Sequence, residues 1–300
     1  MAVYREVDGN ITREYLLDEE QEIIRKRTER GLVEIVPTLE YGLALFIDNE
    51  LQLTEKDEHI YHEMLVHPIM SSCKNYYHIL VIGGGDGCAV REILKWSDTP
   101  YKQIFTINVI DWDEELVNLF KNRYSQLNLE SLENEKVSIE NIDITECDPE
   151  VDERTYDCIF IDLVDPVFYN SDTMNISEMS LWNHVLYLAK HWRDKHGSIV
   201  MNCGGILPWQ LDTLNSILEL LQNTFSLYIH LYKVFVPSFG RDWCFVILSE
   251  EKTLDIFHLP HGLRYCSKKT WQYAYKDGWT EDYLMNLNLN LENQFSQEDE

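Results

Sequence analysis

Residues 77–96 read YHILVIGGGDGCAVREILKW, and this stretch limits the possible folds more than any other. His78, Ile79, Leu80, Val81 and Ile82 make a short run rich in β-branched residues, which fits a buried central strand. Gly83, Gly84 and Gly85 follow at once, where a strand turns sharply and a ligand can approach bare backbone. From Ala89 the spacing becomes helical, with Val90, Ile93 and Leu94 on one face and Arg91, Glu92 and Lys95 on the other. A strand, a glycine turn and a helix in this order predict a nucleotide-binding βα unit.

The turn also narrows the ligand. The Gly-x-Gly-x-x-Gly spacing that seats a pyrophosphate on a helix N-terminus is not met in any register, and Asp86 stands inside the turn. A carboxylate there repels a diphosphate and attracts a cation, so the expected ligand is a positively charged nucleoside without phosphates. S-adenosyl sulfonium compounds fit; taken alone, the turn also fits a plain tight connection. The chain holds 52 acidic and 25 basic residues, a formal net charge of -27. That argues against nucleic acid as a partner, because nothing could neutralise phosphates along a groove. It suits a small cationic substrate, although acidity also serves solubility. Seven dispersed cysteines without a CxxC pair read as reduced thiols, not as a disulfide frame or a metal site. With no apolar leader in MAVYREVDGN and no run of apolar residues long enough for a membrane span, the expectation is a soluble cytoplasmic protein.

Residues 11–30 carry Leu16, Leu17, Ile23 and Ile24 among many charges and read as a helix or a charged preamble. Alternation at 32–36 and 43–47, an Asp48-Asn49 turn and the apolar 51–53 predict a small antiparallel β layer. Residues 54–70 predict a helix, with Thr54 as its cap, Asp57 at the capping-box position, and Ile60, Met64 and Leu65 at helical spacing. His67, before Pro68, reads as a helix-end residue. Beyond the glycine turn, strands are expected at 104–110, 136–142 and 156–161, with a helix over 114–123. An acid ends each of them: Asp86 just after the turn, then Asp111, Asp143 and Asp162. Open parallel sheets bind ligands at the carboxyl ends of their strands, so four acids on one rim point to a site more than to four separate turns. Helices at 181–193 and 211–225 and strands at 198–202, 227–236 and 243–249 complete a seven-stranded methyltransferase-like pattern, antiparallel at its end. Trp182, Trp192, Trp209, Tyr228 and Tyr232 read as core or interface. After Lys276, where neither Lys nor Arg occurs, LMNLNLNLEN reads as a peripheral, low-complexity extension.

Over roughly residues 32–250 the chain resembles the polyamine aminopropyltransferases, the spermidine and spermine synthases. The resemblance rests on YGLALFIDNELQLTEKDEHIYHEML, on ILVIGGGDG, on the acid-x-Asp at 111–113, on Asp162 and on VPSF at 236–239. Pattern and resemblance together predict an α/β fold. A small N-terminal β domain with its connecting helix (1–70) precedes a Rossmann-like methyltransferase-type catalytic domain (71–276) and an acidic tail (277–300). The resemblance implies aminopropyl transfer from decarboxylated S-adenosylmethionine to putrescine or spermidine, with no further cofactor, in a homodimer. By it, Gln52, His62, Asp86, Asp111 and Asp143 would hold the donor around the Gly83–Gly85 turn: Asp86 the ammonium, Asp111 the ribose, Asp143 the adenine amino group. Tyr61, Asp162 and Asp165 would hold the acceptor amine, with Asp162 accepting or relaying its proton, aided by Tyr61. Phe239 and Asp242 fall at the expected acceptor loop; Asp242 reads either as a contact for a distal ammonium or as a turn residue.

Several residues depart from the family's pattern. IDLVDP stands where spermidine synthases commonly have Asp-Ser-Ser-Asp-Pro, VFYNSDTM replaces a Gly-Pro-Ala segment, Phe239 replaces a usual Tyr, and Asp111 a usual Glu. Asp162-Leu163, Asn202-Cys203-Gly204 and VPSF look closer to the spermine synthase branch. The departures leave the acceptor open. They also keep two other readings in view, an S-adenosylmethionine methyltransferase, which Asp86 disfavours, and a silent polyamine-binding homologue.

Overall fold

The computed structural model describes residues 2–8, 11–28, 31–98, 103–163, 176–256 and 258–289; Asp165 lies outside the described residues. The N-terminal part is entirely β. Strands β1 (Val3–Asp8) and β2 (Ile11–Leu16) form a hairpin, and β3 (Ile24–Arg27), β4 (Leu32–Thr38), β5 (Gly42–Ile47) and β6 (Glu50–Thr54) form a four-stranded antiparallel sheet in sequence order. Asp48 and Asn49 turn β5 into β6 with φ of 48° and 70°, the backbone expected of a tight hairpin. The helix or preamble expected over 11–30 is corrected to strands. Its charges alternate across an exposed ribbon, as in the Arg5–Glu14 pair at 2.7 Å, while Tyr4 and Tyr15 turn inward onto Phe46.

Helix α1 (Glu58–Ser72) leads into the main sheet. Pro68 lies inside α1 and cannot donate to the Met64 carbonyl one turn back, which ordinarily breaks a helix. Here the Tyr232 hydroxyl donates to that carbonyl at 2.8 Å. The helix therefore runs on, and His67 is buried within it and not at its end. Its Nε2 lies 2.9 Å from Glu92, and its Nδ1 accepts from the Trp96 indole at 3.0 Å.

The main sheet contains β7 (His78–Gly83), β8 (Thr106–Ile110), β9 (Val137–Glu140), β10 (Tyr156–Asp162), β11 (Arg193–Ile206), β12 (Tyr228–Val236) and β13 (Arg241–Ser249). Their spatial order is β12-β13-β11-β10-β7-β8-β9, with β7 to β11 parallel and β13 antiparallel to both neighbours. Between them run α2 (Cys88–Leu94), α3 (Glu114–Asn122), α4 (Ser125–Asn128), α5 (Ile176–Trp192) and α6 (Asp212–Thr224), with α7 (Lys268–Gln272) and α8 (Glu281–Leu284) after β13.

Alternate strand residues feed two cores. Val81, Phe160, Tyr232 and Phe245 join α1, α2 and the N-terminal sheet; Ile82, Ile161, Val246 and Leu248 join α5 and α6. The outward face expected for α2 is also corrected, because Glu92 is buried there and meets α1 through His67. Trp182, Trp192 and Tyr232 are core residues, whereas Trp209 and Tyr228 are 77% and 50% exposed. Part of the expected tail belongs to the folded body, since Trp279 and Tyr283 are buried in the second core. Among the described residues no helix is long and apolar enough to cross a membrane.

Candidate active site

Strand order reverses at β7, between β8 and β10, and such a switch point opens a crevice at the carboxyl ends of the strands. Gly83 leaves β7 with φ +85° opposite Asp162, where a Cβ would collide with the Asp162 carbonyl oxygen. At Gly85 a Cβ would fall 2.6 Å from the Asp111 carboxylate. Two glycines therefore let three acids from different strand ends stand close together.

Asp162 ends β10 at the centre. Its Oδ1 accepts from the Tyr61 hydroxyl at 2.7 Å. The Tyr61 ring, from the first turn of α1, meets Phe245, Phe239 and Trp243 with centroids 5.1, 6.4 and 6.4 Å away. Trp243 is fixed by donating to Asn202 at 2.8 Å. Burial raises the Asp162 carboxyl to about 6, against the opposing charge of His62 and with the repulsion of Asp86 adding to it. The group is a stronger base than an ordinary aspartate.

Asp86 caps the turn into α2, its Oδ1 accepting the Cys88 N–H at 2.7 Å. Asp111 accepts from the Gly85 and Asp113 N–H groups, both at 2.9 Å. Burial raises it to about 6 despite those two bonds. Asp143 lies beyond β9, with one oxygen taking the N–H and hydroxyl of Thr145. Gln52, on β6, donates its amide to the Glu50 carbonyl.

His62 stands behind the rim, its Nδ1 2.8 Å from Glu58 and its Nε2 3.9 Å from Asp86. Arg91 grips Glu58 with both arms, at 3.0 and 2.9 Å. That grip and the His62 bond outweigh burial and hold Glu58 down to about 2. The positive charge of Arg91 thus lies beneath the rim and is neutralised there.

The 236–240 loop is bolted to α1. Asp57, the residue before the helix, accepts the Ser238 N–H at 2.7 Å and its hydroxyl at 3.0 Å, and Arg13 of the N-terminal hairpin donates to the Phe239 carbonyl at 3.0 Å. Phe239 is buried against Trp243, centroids 4.3 Å apart. Asp242 is not brought to this group. It is one residue out of phase with Trp243 on β13, so it faces the other side of the sheet. There it bonds Lys233 and the Tyr283 hydroxyl, each at 2.7 Å.

The structure thus gathers Tyr61, His62, Asp86, Asp111, Asp162 and Phe239 around the turn, and keeps Asp242 apart. Sequence reasoning missed Trp243, Glu58 and Arg91. The alternation of Trp243, Phe245 and Ile247 was a usable signal for the first; nothing in the spacing announced the ion pair.

A sequence model of the spermine/spermidine synthase domain matches residues 58–257. The chain is similar to the polyamine aminopropyltransferase of Oceanobacillus iheyensis, 34% identical over 230 residues that cover 75% of this chain and 42% of that protein. It is similar to the enzyme of that name from Methanocaldococcus jannaschii, 30% identical over 230 residues, covering 76% of this chain and 73% of the relative. In fold it matches a spermidine synthase solved with the transition state analogue AdoDATO, with a TM-score of 0.78 at 17% identity and 95% of each chain covered. The spermidine synthase of Thermotoga maritima gives 0.75 at 17% identity, with 94% of each chain covered.

Proposed function

Because this chain belongs to the spermine/spermidine synthase family, we propose that it moves the aminopropyl group of decarboxylated S-adenosylmethionine to a primary amine of putrescine or spermidine. The observation that carries this reading is the Asp162–Tyr61 pair, set under an aromatic wall and beside a carboxylate rim. Three acids gathered on one rim, Asp86, Asp111 and Asp162, suit a sulfonium and an alkylammonium. Asp86 takes the donor ammonium, Asp111 the ribose, and Asp143 with Gln52 the outer part of the nucleoside; Asp165 adds to the acceptor side.

An alkylammonium is protonated at neutral pH, and freeing its lone pair costs about 4 to 5 kcal/mol. Asp162, more basic than usual, accepts that proton while Tyr61 orients it. The nitrogen pair then forms a bond to the methylene beside sulfur, and the carbon–sulfur pair leaves with methylthioadenosine. A positioned base is worth ~10²–10⁴ in rate, and alignment of nitrogen, carbon and sulfur supplies more. Phe239 and Trp243 cover the acceptor's methylenes. The same reading makes the protein a cytoplasmic homodimer, as the family resemblance suggests.

Turnover of decarboxylated S-adenosylmethionine with a panel of putrescine, cadaverine and spermidine, followed by mass spectrometry, tests this. Methylthioadenosine formed with one preferred amine, and lost in Asp162→Asn, supports it. Binding of methylthioadenosine without product from any amine overturns it in favour of a silent homologue.

A further inference from the structure

His62 is 3% exposed and held at both ends. Its Nδ1 lies on Glu58 at 2.8 Å and its Nε2 faces Asp86 at 3.9 Å. Glu58 cannot swing away, because Arg91 clamps it and is itself anchored on the Leu127 carbonyl at 2.5 Å and on Glu92 at 2.8 Å. Among the described residues, the groups acting on the imidazole are Glu58 and the Tyr61 ring from α1, Asp86 from the turn, Cys88 from α2 and Asp162 from β10, with Arg91 of α2 behind Glu58. Three carboxylates oppose one guanidinium. Burial disfavours the imidazolium, but the Glu58 bond and the charges of Asp86 and Asp162 outweigh it and push His62 up to about 9.

An alkylammonium on Asp86 brings a second cation against the Nε2–H. At an effective dielectric of about 20, two like charges about 4 Å apart repel by roughly a thousandfold in proton affinity. That is enough to turn a histidine that is charged at pH 7.5 into a neutral one. Resting on the donor reading of Asp86 given above, we propose that His62 is a proton gate. It holds Asp86 until the donor ammonium takes that carboxylate, then releases its Nε2 proton to solvent and offers the freed lone pair to the ammonium. One N–H bond breaks, one proton goes to the buffer, and no electrons change hands; Glu58 keeps the Nδ1–H throughout.

Calorimetric binding of decarboxylated S-adenosylmethionine to the full chain, in two buffers of different ionisation enthalpy at about pH 7.5, reads the proton directly. The expected result is release of nearly one proton per donor, with affinity rising up to about tenfold per pH unit between roughly pH 6 and 9. His62→Gln binds with buffer-independent heat. Glu58→Gln keeps an acceptor for Nδ1–H but removes the charge, so it releases less than half as much proton at the same pH; a purely structural Glu58 leaves the stoichiometry unchanged. Buffer-independent heat in the native protein, or equal release from His62→Gln, overturns the gate while the donor reading stands. Absence of any binding heat overturns both. If Glu58→Gln does not fold, the comparison of native protein with His62→Gln decides.

Discussion

The residue with most at stake is Asp162. Its carboxyl is raised from 3.8 to about 6 by burial, so between those values the unfolded chain loses a proton that the folded one keeps. Folding stability therefore falls as pH rises through this window, and above it the buried charge costs about 1 to 3 kcal/mol. Asp162→Asn keeps an acceptor for the Tyr61 hydroxyl and removes the charge. The expected outcome at pH 7 is a protein stabilised by about 1 to 3 kcal/mol in urea unfolding that has lost ~10²–10⁴ in turnover. In the native protein, turnover falls below about pH 6 as Asp162 takes up its proton, which a pH–rate profile checks. The residue proposed as the base was legible in sequence only as an acid at a strand end. Its basicity comes from burial and from the charge of Asp86, and holds against His62 and Tyr61, which lower it; all three residues come from other segments.

Among the elements, α1 carries the most connections. It presents Tyr61 and His62 to the rim, holds the 236–240 loop through Asp57, and at Glu63 accepts the N–H groups of Arg264, Tyr265 and Cys266 at 2.7, 2.8 and 2.7 Å. Its passage through Pro68 relies on the Tyr232 hydroxyl. Tyr232→Phe leaves the Met64 carbonyl buried and unpaired, with an expected loss of about 1 to 3 kcal/mol. Adding Pro68→Ala restores an N–H donor, so the double variant regains at least half of that loss in a urea-unfolding cycle. The helix itself, the glycine turn and the parallel strands were legible because each has a period and a punctuating residue. The N-terminal ribbon was not, since the inward-facing Tyr4 and Tyr15 are joined there by a buried charge, Glu6, and the charges around them fit a helix as well. Asp242 was misplaced because strand phase decides its face, and a one-residue offset sends it from the site to Lys233.

At the scale of the whole molecule, the charge of -27 and the acidic rim would both attract the polyamine proposed as substrate. Raising ionic strength from about 0.02 to 0.3 M shortens the Debye length below about 10 Å. The expected outcome is a severalfold fall in kcat/KM for the polyamine with kcat nearly constant, measured by initial rates. The C-terminal segment adds a second long-range tie, with Lys233 stacked 4.6 Å from the Tyr283 ring beneath Asp242. These ties also set an order in time during synthesis. The Glu63 carboxylate leaves the ribosome 203 positions before its Cys266 partner, and at about 5–20 residues per second that interval is roughly 10–40 s. Until then, a chain already long enough to hold the glycine turn and all four strand-end acids lacks the last of the anchors on α1, the three N–H groups that Glu63 accepts. A chain cut short of Arg264 therefore carries its seven-stranded sheet complete to Ser249 and yet leaves the buried Glu63 of α1 without those three N–H donors.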